Sequence, residues 1–286
     1  MACTAINGYR VALDVFQAQQ WSFQDAVPSN IDSMRNLLQH YSSIPPSDID
    51  AHLLRIREKA WGISHRPFIG RWRFLRLEDY ADPCYQQVRF RLMLPKSEDI
   101  FLDLGCGLGQ SLRQLRFDGV HPEALLAADI ESRFIDAGFD LFRDADTLGA
   151  KFIVGDLVNP DDRSLDVLCG TATIVHMGSF FHLFTRAQQL YIGQRLVSFL
   201  KPGTKNALIY GRQAGTTDST IPSSRQHTGM FLHNEATLQE LWDEVGELTG
   251  TRWLVQLEQD GHADASPWGN TKGAVPVKFA IYQMQA

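Results

Sequence analysis

Between Ile100 and Gln110 the chain sets three glycines at alternate positions, Gly105, Gly107 and Gly109, directly after the apolar run Ile100, Phe101, Leu102 and Leu104. A carboxylate, Asp103, stands two residues before the first glycine. The pattern predicts a buried strand ending in a turn whose backbone lies against a ligand. Glycine permits positive φ there and leaves space where a Cβ would collide. Two further acids close short apolar runs, Asp129 after Leu125 to Ala128 and Asp156 after Lys151 to Gly155. An acid at the first of these places can accept both hydroxyls of a ribose. His176 offers different chemistry: it could take a proton from a hydroxyl, or hold an oxygen in line for group transfer. Plainer roles exist for each, a helix cap for an isolated acid and a packed or capping residue for the histidine.

A glycine-rich strand–turn–helix can serve a dinucleotide, a nucleotide phosphate or S-adenosylmethionine (SAM). The dinucleotide fingerprint G-x-G-x-x-G fails in both registers, because residue 110 is Gln and residue 112 is Leu. The phosphate-loop signature is absent from this stretch as well. What stands here is D-x-G-x-G-x-G, which resembles the first motif of class I SAM-dependent methyltransferases. That resemblance implies cofactor contacts from Asp103, Gly105, Cys106, Gly107 and Gly109, ribose binding at Asp129 with Ile130 beside it, and adenine recognition at Asp156 and Leu157. It implies SAM as cofactor, S-adenosylhomocysteine as product and no metal. The acid at Asp129 taken alone fits NAD nearly as well.

The elements that must position these groups can be read from periodicity. Leu37, Leu38 and Tyr41 predict one helix, and Pro45 and Pro46 break the chain. Asp48 is placed to cap a second helix carrying Leu53, Ile56 and Ala60. From Phe101 strands and helices alternate: a helix over 110–117, another over 133–142, and a third from a Thr185 cap to Leu200, stopped by Lys201-Pro202-Gly203. The fourth strand is expected at 165–170 and the fifth at 206–210. A helix capped by Asn234 is expected to close at Gly246, before strands at 252–257 and 277–284. This order predicts a Rossmann-like α/β fold with a doubly wound, mostly parallel sheet. The methyltransferase resemblance makes it seven-stranded with an antiparallel edge strand, preceded by an N-terminal helical segment. Two units are expected: residues 1–95 as a helical lid bordering a substrate chamber, and 96–286 as the SAM-binding domain.

Ligands of such sheets bind beyond the carboxyl ends of the strands. Substrate contacts are therefore sought at Phe180 and His182, and in two segments outside the sheet core. One is the aromatic and arginine-rich stretch 60–75, with Arg66 and Arg71 available for an acidic group. The other is the polar loop 211–231, which contains His227.

The 286-residue chain is 44% hydrophobic, enough for a full α/β core, and carries a net charge of −6. No basic run supplies a face for a nucleic-acid backbone, which argues against DNA or RNA as partner. The four cysteines, Cys3, Cys84, Cys106 and Cys169, have no C-x-x-C spacing, and Cys106 and Cys169 are expected as small buried packers. No secretory signal or membrane span is legible. The expectation is a cytoplasmic enzyme with a small-molecule substrate and no membrane partner, in which the helical N-terminus could mediate a homodimer.

Four stretches, 61–77, 101–118, 133–146 and 151–156, resemble fungal natural-product methyltransferases, especially those that methylate a carboxyl group on meroterpenoid intermediates. The likeness spans about residues 35–260. It implies methyl transfer to a carboxyl or hydroxyl oxygen of a polyketide- or terpenoid-like metabolite, with His176 as base for a hydroxyl or as orienting group for a carboxylate. One departure is Ser64-His65-Arg66-Pro67, where the family resemblance leads one to expect an aromatic-proline-cysteine sequence. Two rival readings keep the fold and change the chemistry: a non-methylating rearrangement or cyclisation around bound SAM, or methylation of a protein or RNA.

Overall fold

Seven strands form one sheet: β1 (Phe101–Leu104), β2 (Leu125–Asp129), β3 (Lys151–Val154), β4 (Ile174–Gly178), β5 (Leu208–Thr216), β6 (Trp253–Gln259) and β7 (Ala274–Gln283). Their spatial order is β3-β2-β1-β4-β5-β7-β6. The computed structural model describes residues 23–216, 230–261 and 274–285, so the expected features in 1–22 and in the loop 217–229, including His227, lie outside the described residues. Pairing is parallel from β3 to β5, while β7 runs antiparallel to both β5 and β6. The β6–β7 pair thus supplies the antiparallel edge expected from the sequence, with β7 inside and β6 outermost.

Eight helices surround the sheet among the described residues: α1 (Asp32–His40), α2 (Ile49–Trp61), α3 (Pro67–Gly70), α4 (Pro83–Met93), α5 (Gln110–Phe117), α6 (Ser132–Phe142), α7 (Arg186–Phe199) and α8 (Glu235–Thr249). One face of the sheet packs on α7 and α8 through Ile192, Leu196, Leu238, Leu241 and Trp242. The other packs on α4, α5 and α6 through Tyr85, Val88, Leu112, Leu115 and Ile135. Each fully buried side chain of this size contributes about 1.5–3 kcal/mol. A third apolar cluster joins α1, α2, Ile69, Trp72 and Phe74 to Ala137, Leu141 and Phe142 of α6, and to Leu108 of the glycine turn. The N-terminal segment is thereby packed directly behind the turn.

Local chemistry explains the boundaries. Thr185 and Asn234 each form a reciprocal capping box at the start of α7 and α8. Asp82 caps α4 by accepting from the Cys84 and Tyr85 amides. Three expectations need correction. Residues 164–168 form a 3-10 turn, with Leu165 and Leu168 buried and Val167 exposed, and the fourth strand is Ile174–Gly178. The polar His176 interrupts an apolar run there, so the strand was hidden. Asp48 makes no side-chain cap on α2. α8 passes through Gly246, where a Cβ would meet the Thr251 carbonyl at 2.5 Å, and ends at Gly250 with φ +68°.

Candidate active site

The glycine turn leaves β1 and is bound to β2 by its first amides. Gly105 N–H and Cys106 N–H both donate to the Ala128 carbonyl, at 2.8 and 3.1 Å. Gly105 and Gly107 have φ of +72° and +55°, a region that L side chains enter only with strain. Aromatic rings press on both: a Cβ on Gly105 would lie 2.3 Å from the Phe180 ring, and one on Gly107 2.7 Å from that of Phe68. Phe68 belongs to α3 and was not among the expected site residues. Gly109 donates to the Cys106 carbonyl at 2.8 Å and starts α5.

Beneath the turn lies Arg113 of α5, fully buried. Its guanidinium grips Asp144 through two bonds of 2.9 and 3.0 Å, and donates to the Leu108 and Gly109 carbonyls at 3.2 and 3.3 Å. Phe139, Phe142 and Phe152 surround it at 5.0 to 5.3 Å. The turn is therefore supported by a charged group whose five donors suit a carboxylate and carbonyls together.

The acids behave as a set. The two Asp129 oxygens accept from Gly107 N–H at 2.8 Å and Glu131 N–H at 2.9 Å. Burial raises its pKa above the usual carboxylate range, and those amides pull it back in part. Ile130, next in sequence, is 64% exposed despite being a large apolar residue. Asp156 accepts from Val158 N–H at 3.0 Å, and its own amide donates to Asp162 at 2.7 Å. Leu157 is buried. Register aligns Asp103 with Ala127 and Asp129 with Val154, so these groups gather at the carboxyl ends of β1, β2 and β3. Cys106 is buried, its thiol pushed well up in pKa by burial, and Cys169 is exposed, contrary to the expected packing role.

His176 departs most from expectation. It lies within β4, paired in register with Asp103, and its ring stacks near Phe101 and Tyr210. Nδ1 is 2.7 Å from Asp103 Oδ1, and Nε2 faces Glu78 Oε1 at 3.6 Å, an ion-pair contact beyond hydrogen-bond length. Burial alone would lower its pKa, but Asp103 and then Glu78 outweigh it and raise the value to about 9. A base must hold a free lone pair, and the two flanking acids favour the charged form of this ring.

The substrate-side residues scatter. Phe180 meets Phe184 edge-on at 4.9 Å. His182 is buried, its pKa pushed down to about 3 by burial and by the Arg73 charge. Arg66 is exposed where α3 begins, and Arg71 is half-buried further along. Gln189 of α7 fixes the turn after β4, donating to the Phe181, Phe184 and Phe231 carbonyls while its Oε1 lies 2.7 Å from His233 Nε2. Glu78, Arg113 and Gln189 were not singled out in the sequence. Their partners lie far along the chain, and no spacing announces such pairs.

Residues 23–75 match the family model for the meroterpenoid methyltransferase N-terminal domain. The chain is 35% identical over 263 residues to the O-methyltransferase atr3 of Stereocaulon alpinum, covering 91% of this chain and 75% of that protein. It is 31% identical over 250 residues to the Asnovolin E/Chermesin D methyltransferase nvfJ of Aspergillus novofumigatus, covering 86% and 87%. It belongs to this family of fungal SAM-dependent O-methyltransferases. A solved Galdieria sulphuraria protein assigned as a sarcosine dimethylglycine methyltransferase shares the fold, with TM-score 0.52, 12% identity, and coverage of 71% of this chain and 83% of that one. The family's cofactor is SAM, and the methyltransferase relatives do not favour the rearrangement reading. Among the described residues no helix is long and apolar enough to cross a membrane, and no group of three or more His, Cys, Asp or Glu side chains could hold a metal.

Proposed function

We propose that this methyltransferase acts on a carboxylate oxygen of a small, largely apolar metabolite, with the cofactor held at the carboxyl ends of β1, β2 and β3. The cofactor end suits SAM because Asp129 keeps lone pairs for ribose hydroxyls beyond its two amide bonds. Exposed Ile130 offers an apolar contact, and Asp156 with Leu157 forms the adenine end. Asp103 lies where a cationic amine would be drawn. When bound, SAM supplies an electrophilic methyl on a positively charged sulfur.

What supports the acceptor assignment is the surroundings of the histidines: His176 lies between Asp103 and Glu78, and His182 and His233 are buried. Asp103 and Glu78 raise the His176 pKa to about 9, whereas burial pushes His182 and His233 down to about 3. Among the described residues, none of these three matches the proton affinity that abstraction from a phenol or alcohol requires near pH 7, and His227 lies outside the described residues. A carboxylate is already ionised and needs no base. The protein's contribution is then orientation and exclusion of water. Phe68, Phe180 and Phe184 supply an apolar wall, and the described part of the N-terminal segment, 23–95, serves as a lid beside the SAM-binding domain. Meroterpenoids, named in the matching family model, are the substrate class that this wall suits best. A cytoplasmic site of action belongs to the same reading, with Cys84, Cys106 and Cys169 as free thiols.

The test is to incubate the enzyme with SAM and a panel of apolar carboxylic acids and phenols, following methyl gain by mass. A product that mild alkali hydrolyses back to the acid is the expected methyl ester. Alkali-stable ethers formed from the phenols, with the acids untouched, would overturn the assignment.

A further inference from the structure

Glu78 lies on the segment between α3 and α4, outside the sheet and the glycine turn. Its main chain is clamped on both sides by one carboxamide of α5: Glu78 N–H donates to Gln114 Oε1, and Gln114 Nε2 donates to the Glu78 carbonyl, both at 2.8 Å. Its side chain, mostly buried, accepts from Arg212 of β5 and faces His176. His176 in turn meets Asp103, the acid two residues ahead of Gly105. The result is a buried chain Arg212–Glu78–His176–Asp103, running from the N-terminal segment into the cofactor end of the sheet. The groups facing His176 are Asp103 from β1, Tyr210 from β5 and Glu78 from the linking segment, with Arg212 and Arg76 behind Glu78. Two carboxylates and two cations make the chain neutral.

We propose that Glu78 is a positioning residue for the cofactor site, one that keeps His176 charged and so fixes the charge and aim of Asp103. The inference rests on the reading of Asp103 as a SAM contact. SAM carries one net positive charge, so a neutral floor admits it and a cationic floor repels it. Without the Glu78 carboxylate, the chain holds Arg212, His176 and Asp103. It is then neutral when His176 is deprotonated and carries one excess positive charge when His176 is protonated. Loss of the Glu78 carboxylate removes one of the two acids that favour the charged ring, so the His176 pKa falls. Glu78 thus places SAM binding beyond the reach of pH between 6 and 8.

The experiment pairs SAM titration calorimetry across pH with nitrogen NMR of the His176 ring, in the full chain and in Glu78→Gln and Glu78→Asp. Wild-type affinity is expected to be flat from pH 6 to 8, and that of E78Q to weaken about tenfold on acidification over the same interval. E78D should restore the flat profile, which a merely structural defect would not predict. In the wild type the NMR spectrum at pH 7.5 should show both ring nitrogens protonated, a result that needs no variant to fold. A neutral His176 in the wild type, or pH-independent SAM binding by folded E78Q, overturns the proposal. Wild-type protein that fails to bind SAM refutes the cofactor contacts, while the NMR result still tests the chain.

Discussion

Replacing Arg113 by Met tests how the glycine turn is supported. The guanidinium is fully buried, as is its partner Asp144, and the pair is bidentate. Removing the cation leaves Asp144 with the Tyr41 hydroxyl at 2.8 Å as its remaining side-chain partner here, and the Leu108 and Gly109 carbonyls lose a donor. Breaking a buried pair on one side costs about 3–5 kcal/mol. At about 2–4 °C per kcal/mol for chains somewhat shorter than this one, the melting temperature should fall by about 6–20 °C. Thermal unfolding of R113M, D144L and the double variant measures it. The double variant removes both charges and leaves the Tyr41 hydroxyl to find water, so it should regain at least half of the loss. An R113M melting point within about 2 °C of wild type, or a double variant less stable than R113M, would refute the reasoning. Calorimetry with SAM should show weaker binding by R113M wherever it remains folded, because the turn carbonyls are then free to move.

Further outcomes follow from the same geometry. Asp129→Ala should weaken SAM binding at least tenfold by calorimetry, since hydrogen bonds to a charged group contribute about 1.5–3 kcal/mol and the Gly107 amide is also released. Gly107→Ala should destabilise by about 1–3 kcal/mol, combining positive φ with a Cβ 2.7 Å from Phe68. Adding Phe68→Leu should relieve the contact and leave the backbone strain, so recovery in a melting assay should be partial. For His176 the folded pKa is raised to about 9, so its stabilisation is whole below the unfolded value near 6.5 and is lost as pH climbs through about 9. Denaturant midpoints should therefore fall between pH 7 and 9.5, and a midpoint that rises over this interval would contradict the charged state.

Much of the cofactor end could be read from the sequence because its signals are local. An apolar run, three alternate glycines and acids at strand ends all act within a few residues, and the Thr185 and Asn234 caps do the same. The fourth strand was misread because apolar Leu165, Val167 and Leu168 mimic a strand while forming a 3-10 turn, and the real strand carries a histidine in its middle. Glu78 could not be found this way. Its carboxylate becomes meaningful only when β4 and β5 bring His176 and Arg212 beside it. Residue type and position single out His176, but its charge depends on two acids from elsewhere in the fold. Packing decides its protonation.

The location of β7 bears on how the chain acquires its shape. It follows every other described strand in sequence, yet it takes an inner place between β5 and β6, and β6 has no other neighbour in the sheet. Until residues 274–283 dock, β5 presents an open row of amides and carbonyls, and β6 has nothing to pair with. Such edges template association with other chains, and long-range pairings of this kind form slowly. The interval between emergence of β5 and docking of β7 is therefore the stage of biogenesis most exposed to aggregation. Truncations before residue 274 should accumulate as insoluble protein even though the cofactor half of the sheet is intact.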